Sequence, residues 1–331
     1  RVGTIFALSP IAQGTVMWIG AATLVFAGIL ALLQNDLKRV LAYSTMSQLG
    51  YMFLALGAGA YSAAIFHLAT HACFKALLFL GAGVIGYLMH HEYNLERVGN
   101  LRFKYPVLFF VFLIGLASLT ALPFITAGFY SKELILSNVF LSNQGGKLPW
   151  AIGALGALLT GLYSARLFCL LFLSPSPGSG EGPGERSINW RMKLPLFILA
   201  VLSLCAGFLP IPAFVDRTVL TPILSSEGHP WKLELIVSIL SILGILIGTR
   251  GKLLKRDLGI DAIYANFFAK PYEALTFFLR ADPIRAVYRL FSLCAVFFGN
   301  LFSRWQTGNP AHYLSAFILA VVLILGFVVF L

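Results

Sequence analysis

From Gly14 to Gln34 the chain runs for 21 residues without one charged side chain. A helix of that length rises ~30 Å, the thickness of the hydrocarbon core of a bilayer. Apolar runs of similar length recur at about 40–58, 62–89, 150–173, 194–214, 232–249 and 312–331. Composition agrees: 59% of the residues are hydrophobic and only 11% charged, whereas a soluble domain carries about 25% charged residues. The fold class that follows is an all-α polytopic membrane protein.

Residues 106–140 need separate treatment. They are mostly apolar, yet too long for one simple crossing and interrupted by Pro123 and Gly128. Counting basic residues on either side decides between one broken crossing and two. With one crossing the loops carry 17 Lys and Arg on one side and 4 on the other; with two the split falls to 13 and 8. The positive-inside rule therefore favours a single discontinuous helix, a form found where unwound backbone lines a cavity or ion site. The total is about eight transmembrane helices, one of them broken, with the basic side cytoplasmic. The net charge of +11 is read as this loop bias and not as a nucleic-acid footprint.

Other segments carry weaker signals. Residues 1–13 read as an interfacial lead-in, and the chain starts at Arg1 with neither an initiator methionine nor a signal-peptide pattern, as an excerpt of a longer protein would. Residues 175–193 form a Pro/Gly/Ser-rich flexible linker, and 194–249 hold two transmembrane helices. Residues 250–310 are basic and aromatic; Asp282-Pro283 reads as a helix start, and the apolar core Leu290–Phe302 is short for a crossing. This implies a lateral amphipathic helix on the cytoplasmic face, followed by a C-terminal anchor at 311–331. Gly81, Gly83 and Gly86 predict a tilt or local break in helix 62–89. Cys73, Cys169, Cys205 and Cys294 stand singly in apolar stretches and read as buried packing residues. His90 and His91 beside Glu92 could hold a metal, but a solvated loop is the favoured reading.

The chemistry concentrates in Ala64-Ile-Phe-His-Leu-Ala-Thr-His-Ala-Cys-Phe-Lys-Ala-Leu-Leu-Phe79, where His67, His71 and Lys75 recur every four residues. On a helix they climb one face over roughly 12 Å. An ionised lysine at mid-bilayer costs at least ~2.5–3.5 kcal/mol, so such groups face a bundle interior. A ladder of titratable groups in an oily helix is the form a proton relay takes. Ser44, Ser47, Gln48 and Tyr51 give helix 40–58 a polar face. Two readings stay open for it: interhelical hydrogen bonding, or a wet face turned to the ladder. A second in-membrane lysine, Lys132, follows the interruption and sits beside Glu133.

Asp36-Leu-Lys-Arg-Val-Leu-Ala-Tyr-Ser-Thr-Met-Ser-Gln-Leu-Gly-Tyr-Met52, His67 through Leu80, and Ala121 through Glu133 resemble the antiporter-like membrane subunits of respiratory complex I, the NADH–quinone oxidoreductase. The lateral tail narrows the likeness to the bacterial chain 5, or chain L, type. Mrp-type cation/proton antiporter subunits share the core motifs and are the alternative. The resemblance implies that residues 1–174 are the second of two inverted five-helix repeats, and that the first repeat, with the proton input half, lies outside this sequence. It implies that Lys75 is the central connecting carrier, His67 and His71 bridging groups, and Lys132 the lysine of the far exit. Glu133 stands where many members have aspartate, and Lys38 matches a lysine at the cytoplasmic helix end. Ala265 replaces an acid common in the tail of relatives. The implied setting is a bacterial inner membrane, with other membrane-arm subunits, lipid and protons (or Na+) as partners and no nucleic acid. No dinucleotide fingerprint, cysteine cluster or flavin signature is present. NADH, FMN, Fe–S clusters and quinone are accordingly expected in partner subunits, with no cofactor and no metal in this chain. A third reading is a non-transporting strap that holds a membrane arm together.

Overall fold

The computed structural model of the chain describes residues 3–174, 187–218, 231–250 and 283–303, with positions 266, 270, 271, 273 and 276 besides. Among the described residues every regular element is a helix, and the one β-bridge pairs Asp36 with Asn94 in loops. The chain divides into two compact units, residues 1–258 and 259–331.

The first unit opens with α1 (Gly3–Ala7) and α2 (Pro10–Leu33). Residues 10–13 thus belong to the first long helix and not to a lead-in: Ser9 caps it by accepting from the Ala12 N–H, and Pro10, which has no N–H to leave unpaired, starts it. Asp36 caps α3 (Leu37–Gly57) through the Arg39 N–H at 2.9 Å. Then come α4 (Tyr61–Leu88), the short α5 (Leu101–Lys104), α6 (Pro106–Leu119), α7 (Ala127–Leu141) and α8 (Lys147–Phe172). The unit ends with α9 (Trp190–Cys205) and its following 3-10 turn, α10 (Ile211–Thr218) and α11 (Trp231–Thr249). Among the described residues, five helices are long and apolar enough to cross a membrane: α2, α4, α8, α9 with its turn, and α11. Their outward faces carry large exposed apolar side chains such as Ile11, Phe26, Phe79 and Phe197, surface that a lipid solvent accommodates and water does not.

Glycines set the closest approaches. A Cβ on Gly50 would lie 2.6 Å from the Leu24 nitrogen, and one on Gly20 2.6 Å from the Leu54 nitrogen. Only glycine at both positions lets α2 and α3 pack backbone to backbone. The contact register fixes direction: Gly20 meets Gly50 while Gln13 meets Gly57, so α2 and α3 are antiparallel. Ser44 meets Lys75 while Tyr51 meets His67, so α3 and α4 are antiparallel too. No break falls at the α4 glycines, because α4 is continuous; Gly81 seats Phe112 and Gly86 seats Tyr93, while Gly83 faces open space.

The interruption in 106–140 falls between α6 and α7, over residues 120–126. At 14 and 15 residues, neither helix rises more than ~23 Å. Their contacts with α4 run continuously downward in number: Phe112 against Gly81, Gly115 against Leu78, then Ser131 against Thr70 and His67. The two therefore follow α4 end to end as one interrupted path. Ala121 and Phe124 in the break adopt left-handed backbone, at φ 59° and 64°, a strain that neighbouring structure must hold. α9 and α11 supply the bracing, through Ser118 Oγ to the Ser203 carbonyl and Ser241 Oγ to the Thr120 carbonyl.

Two expectations need correction. The helix expected over 194–214 ends at Cys205 and restarts at Ile211, because Pro210 cannot donate the N–H that continuation needs. None of the four cysteines is buried: Cys73 and Cys169 are half-buried, while Cys205 and Cys294 are exposed. They sit on outward helix faces, where an apolar side chain suits lipid contact. In the second unit, α12 (Pro283–Ser303) is the element described. From Arg289 to Asn300 every position is exposed, with Leu290, Phe291, Leu293, Val296, Phe297 and Phe298 contributing apolar surface. Residues 175–186 of the linker, Asp282, Ala265 and the C-terminal anchor at 311–331 lie outside the described residues.

Candidate functional site

The apolar core of the first unit is two clusters, not one. One gathers Leu37, Val40, Leu41, Phe74, Leu77, Leu108 and Phe112; the other gathers Met17, Leu24, Tyr51, Leu54, Ile135 and Ala157. Between them lies a buried polar layer. It takes Ser44, Ser47 and Gln48 from α3, His67, Thr70, His71 and Lys75 from α4, and Ser131 and Lys132 from α7. Thr160 and Ser164 of α8 are buried as well. The layer exists because each helix changes from apolar to polar at mid-length, and the antiparallel registers bring those middles together.

Lys75 Nζ donates to the Leu41 carbonyl at 3.2 Å and to Ser44 Oγ. The same carbonyl also accepts the Ser44 and Thr45 hydroxyls, at 2.8 and 2.9 Å. Lys132 Nζ donates to the Leu119 carbonyl at 2.9 Å and lies 5.2 Å from the centre of the Tyr51 ring. Leu119 ends α6, and the last carbonyls of a helix have no intrahelical partner. The negative end of the helix dipole lies there as well. The break thus builds a cation seat out of backbone. Neither lysine has a carboxylate within ion-pair distance; among the described residues the one such pair is Arg97–Glu92, in a loop.

The histidines stand between the lysines. His67 Nδ1 lies 2.9 Å from Ser131 Oγ, which also accepts the Thr70 hydroxyl at 2.9 Å. The His67 and His71 ring centres are 6.0 Å apart, and Phe74 meets His71 edge-on at 5.3 Å. Nε2 of both histidines is buried without a protein partner, as are both amide atoms of Gln48, Tyr163 Oη and Ser164 Oγ. Gln48 and Thr160 are polar neighbours of Tyr163, yet none meets its hydroxyl in hydrogen-bonding geometry. Buried polar atoms are satisfied in native proteins by protein or by water, so this layer is chemically suited to bound water. The polar face of α3 combines both readings offered for it. Ser47 bonds the Leu24 carbonyl and Tyr51 the Gly153 carbonyl, while Ser44 and Gln48 turn to the titratable groups.

Two expected members stand apart. Lys38 is exposed, its Nζ 3.8 Å over the Tyr93 ring. Glu133 does not pair with Lys132; one helical step of ~100° turns it to another face of α7, where its polar neighbours are Ser238 and Glu234. His90 and His91 occupy a left-handed turn after α4, and among the described residues no group of three potential metal ligands forms. Arg166 clamps the end of α2, donating to the Gln34 carbonyl at 2.7 Å and Asn35 Oδ1 at 2.5 Å. Sequence reasoning passed over Ser131, Thr70 and the Leu119 carbonyl. Ser131 had a signal, a lone hydroxyl in the turn before Lys132; a backbone carbonyl freed by a helix end has none.

Residues 1–160 match the family described as NADH:quinone oxidoreductase/Mrp antiporter, TM. The chain is 39% identical to NADH-quinone oxidoreductase subunit L of Pseudomonas aeruginosa, over 98% of this chain and 55% of the relative. It is 35% identical to the subunit of the same name from Escherichia coli (strain K12), over 98% of this chain and 56% of the relative. It therefore spans about half the length of the curated relatives it matches. Among solved structures, a chain of the Mrp complex from Dietzia sp. DQ12-45-1b superposes with a TM-score of 0.58 at 25% identity, over 97% of this chain and 34% of that one.

Proposed function

We propose that this chain, whose residues 1–160 match the NADH:quinone oxidoreductase/Mrp antiporter transmembrane family, is a proton-translocating part of the membrane arm of an NADH:quinone oxidoreductase. Protons move through the buried Lys/His layer, driven by electron transfer in partner subunits that hold the NADH, FMN, Fe–S and quinone chemistry. The observation that carries this reading is the polar layer itself. Two buried lysines are held by neutral oxygens alone and bridged by histidines whose outer nitrogens lack protein partners.

The chemistry of the layer follows from its donors and acceptors. A neutral imidazole has one N–H and one bare nitrogen, so it can take a proton at one atom and give one up at the other. His67 is anchored at Nδ1 by Ser131, which leaves Nε2 as the exchanging atom. An ammonium held by neutral oxygens has no fixed counter-charge, so little beyond those hydrogen bonds opposes loss of its proton. Lys75 acts as the connecting carrier, Lys132 as the exit group, and Lys38 stands at the cytoplasmic helix end. Eight crossings with the basic loops inward, in a bacterial inner membrane, give this layer its orientation. Residues 283–303 fit a lateral amphipathic helix on the cytoplasmic face, with the other membrane-arm subunits as partners.

Lys75→Ala and Lys132→Ala in the assembled complex test the reading. Each should abolish the proton yield this chain contributes per NADH oxidised in sealed vesicles. Unchanged yield with normal assembly would overturn it in favour of the strap. The alternative is a cation/proton antiporter subunit, which the likeness to the Mrp complex fits only as that of a family relative; proton movement that requires Na+ and not NADH would favour it.

A further inference from the structure

On the side of α7 facing away from the histidines, a cavity of about 760 Å³ opens among α7, α11, the helix break and the α9–α10 turn. Phe66, Pro123 and Phe129 form apolar walls, and Glu133, Glu234 and Ser238 are its polar groups. Glu234 lies in the first turn of α11, beyond the matched family residues. Glu133 Oε1 is buried without a protein partner, and Ser238 and Glu234 are polar neighbours of its carboxylate on the same cavity wall. A smaller crevice brings the same pair against Ser137 and Trp150, whose indole N–H is also buried without a partner.

Two carboxylates side by side on an apolar wall cannot both carry charge cheaply; a proton between them removes the repulsion. The break connects this pair to the lysine layer. Its α6 end supplies the carbonyl that holds Lys132, and its Pro123 and Phe124 line the cavity. Glu133 sits in the second turn of α7, and Glu234 is nearer its own helix end.

We propose that Glu133 and Glu234 share one mobile proton on the cavity wall, and that Glu234 is the last protein group to carry it before water. The proposal rests on the proton-translocation reading above. The step balances simply. The Lys132 ammonium becomes an amine as the carboxylate pair becomes one carboxylic acid and one carboxylate. Release of H+ to water in the cavity restores both carboxylates, and the next proton from the histidine side restores the ammonium.

The test uses the assembled complex in sealed vesicles, with proton yield read per NADH oxidised and Lys132→Ala as reference. Glu234→Gln should lose the same proton yield as Lys132→Ala, Glu234→Asp should restore it, and Glu133→Gln combined with Glu234→Gln should lose no more than either alone. Wild-type yield in Glu234→Gln while Lys132→Ala is defective overturns the shared-proton proposal and leaves the broader reading standing. Wild-type yield in Lys132→Ala overturns both. If Glu234→Gln fails to assemble, the wild-type complex supplies the readout. A hydrophobic carbodiimide, which modifies protonated carboxyls in apolar surroundings, should label Glu133 or Glu234 by peptide mass mapping, and labelling of neither overturns the proposal.

Discussion

Ser131→Ala removes one oxygen atom from the fully buried contact between α4 and α7, and its cost can be worked from the contacts of that atom. Ser131 Oγ pairs with His67 Nδ1 at 2.9 Å and accepts from Thr70 Oγ1 at 2.9 Å. Loss of the Thr70 bond is mild, because that hydroxyl keeps the Phe66 and His67 carbonyls at 3.2 and 3.1 Å; interhelical bonds in membrane proteins average about 0.6 kcal/mol. His67 Nδ1 has no such fallback, and a stranded buried polar atom costs about 1–3 kcal/mol. The substitution should therefore destabilise the protein by about 1.5–3.5 kcal/mol, while Thr70→Val costs about 0.6 kcal/mol. The double variant should match Ser131→Ala alone, since the Thr70 bond is already gone. Reversible denaturant unfolding in bicelles measures all three. A Thr70→Val cost equal to that of Ser131→Ala, or strict additivity, would refute the assignment of Ser131 as the anchor of His67. The serine also fixes which imidazole nitrogen exchanges protons, so proton yield per NADH should fall further in Ser131→Ala than in Thr70→Val.

Two other outcomes follow from geometry outside the layer. Gly50→Ala places a methyl 2.6 Å from the Leu24 nitrogen and 2.8 Å from the Gly20 carbonyl; both are backbone and cannot swing away, so the cost should reach the upper end of the overpacking range, about 3 kcal/mol. Gly14→Ala in the neighbouring helix meets nothing within 4 Å and should gain up to about 1 kcal/mol from helix propensity; thermal unfolding separates the two. In the loop after α4, Glu92 accepts from the Asn94 and Tyr93 N–H groups and from Arg97. The Asn94 N–H first, and then the Arg97 guanidinium, hold its carboxyl below the usual carboxylate range. Its contribution to loop order is therefore complete above the normal carboxylate pKa and is lost as pH falls through the lowered value. Hydrogen exchange at Asn94 should quicken in that acidic window and stay flat across neutral pH; a change confined to neutral pH would contradict the assignment.

Much of the fold was legible because membrane helices announce themselves locally. The boundaries of α3, α4, α8 and α11 follow from apolar run length, and the break in 106–140 from Pro123, Gly128 and the count of basic residues. The misses share a cause. Whether Gly81 and Gly86 bend a helix or seat a ring depends on Phe112 and Tyr93, which come from other parts of the chain. Whether a cysteine is buried depends on which face its helix turns outward. Lys132 and Glu133 are adjacent in sequence and read as a pair, yet consecutive helical residues point ~100° apart, so adjacency in the chain became separation around α7.

The sequence by itself determined that this chain is a set of long apolar helices carrying His67, His71 and Lys75 on one face, because a four-residue spacing and a charge-free run are properties of a single segment. Tertiary structure alone decided that the polar middles of α3, α4 and α7 coincide in one layer between two apolar clusters. It also decided that Leu119 offers its carbonyl to Lys132, and that Glu133 shares a cavity wall with Glu234, about a hundred residues away. Those results depend on interhelical register and on backbone groups freed at a helix end, and neither is written in the identity of any one residue.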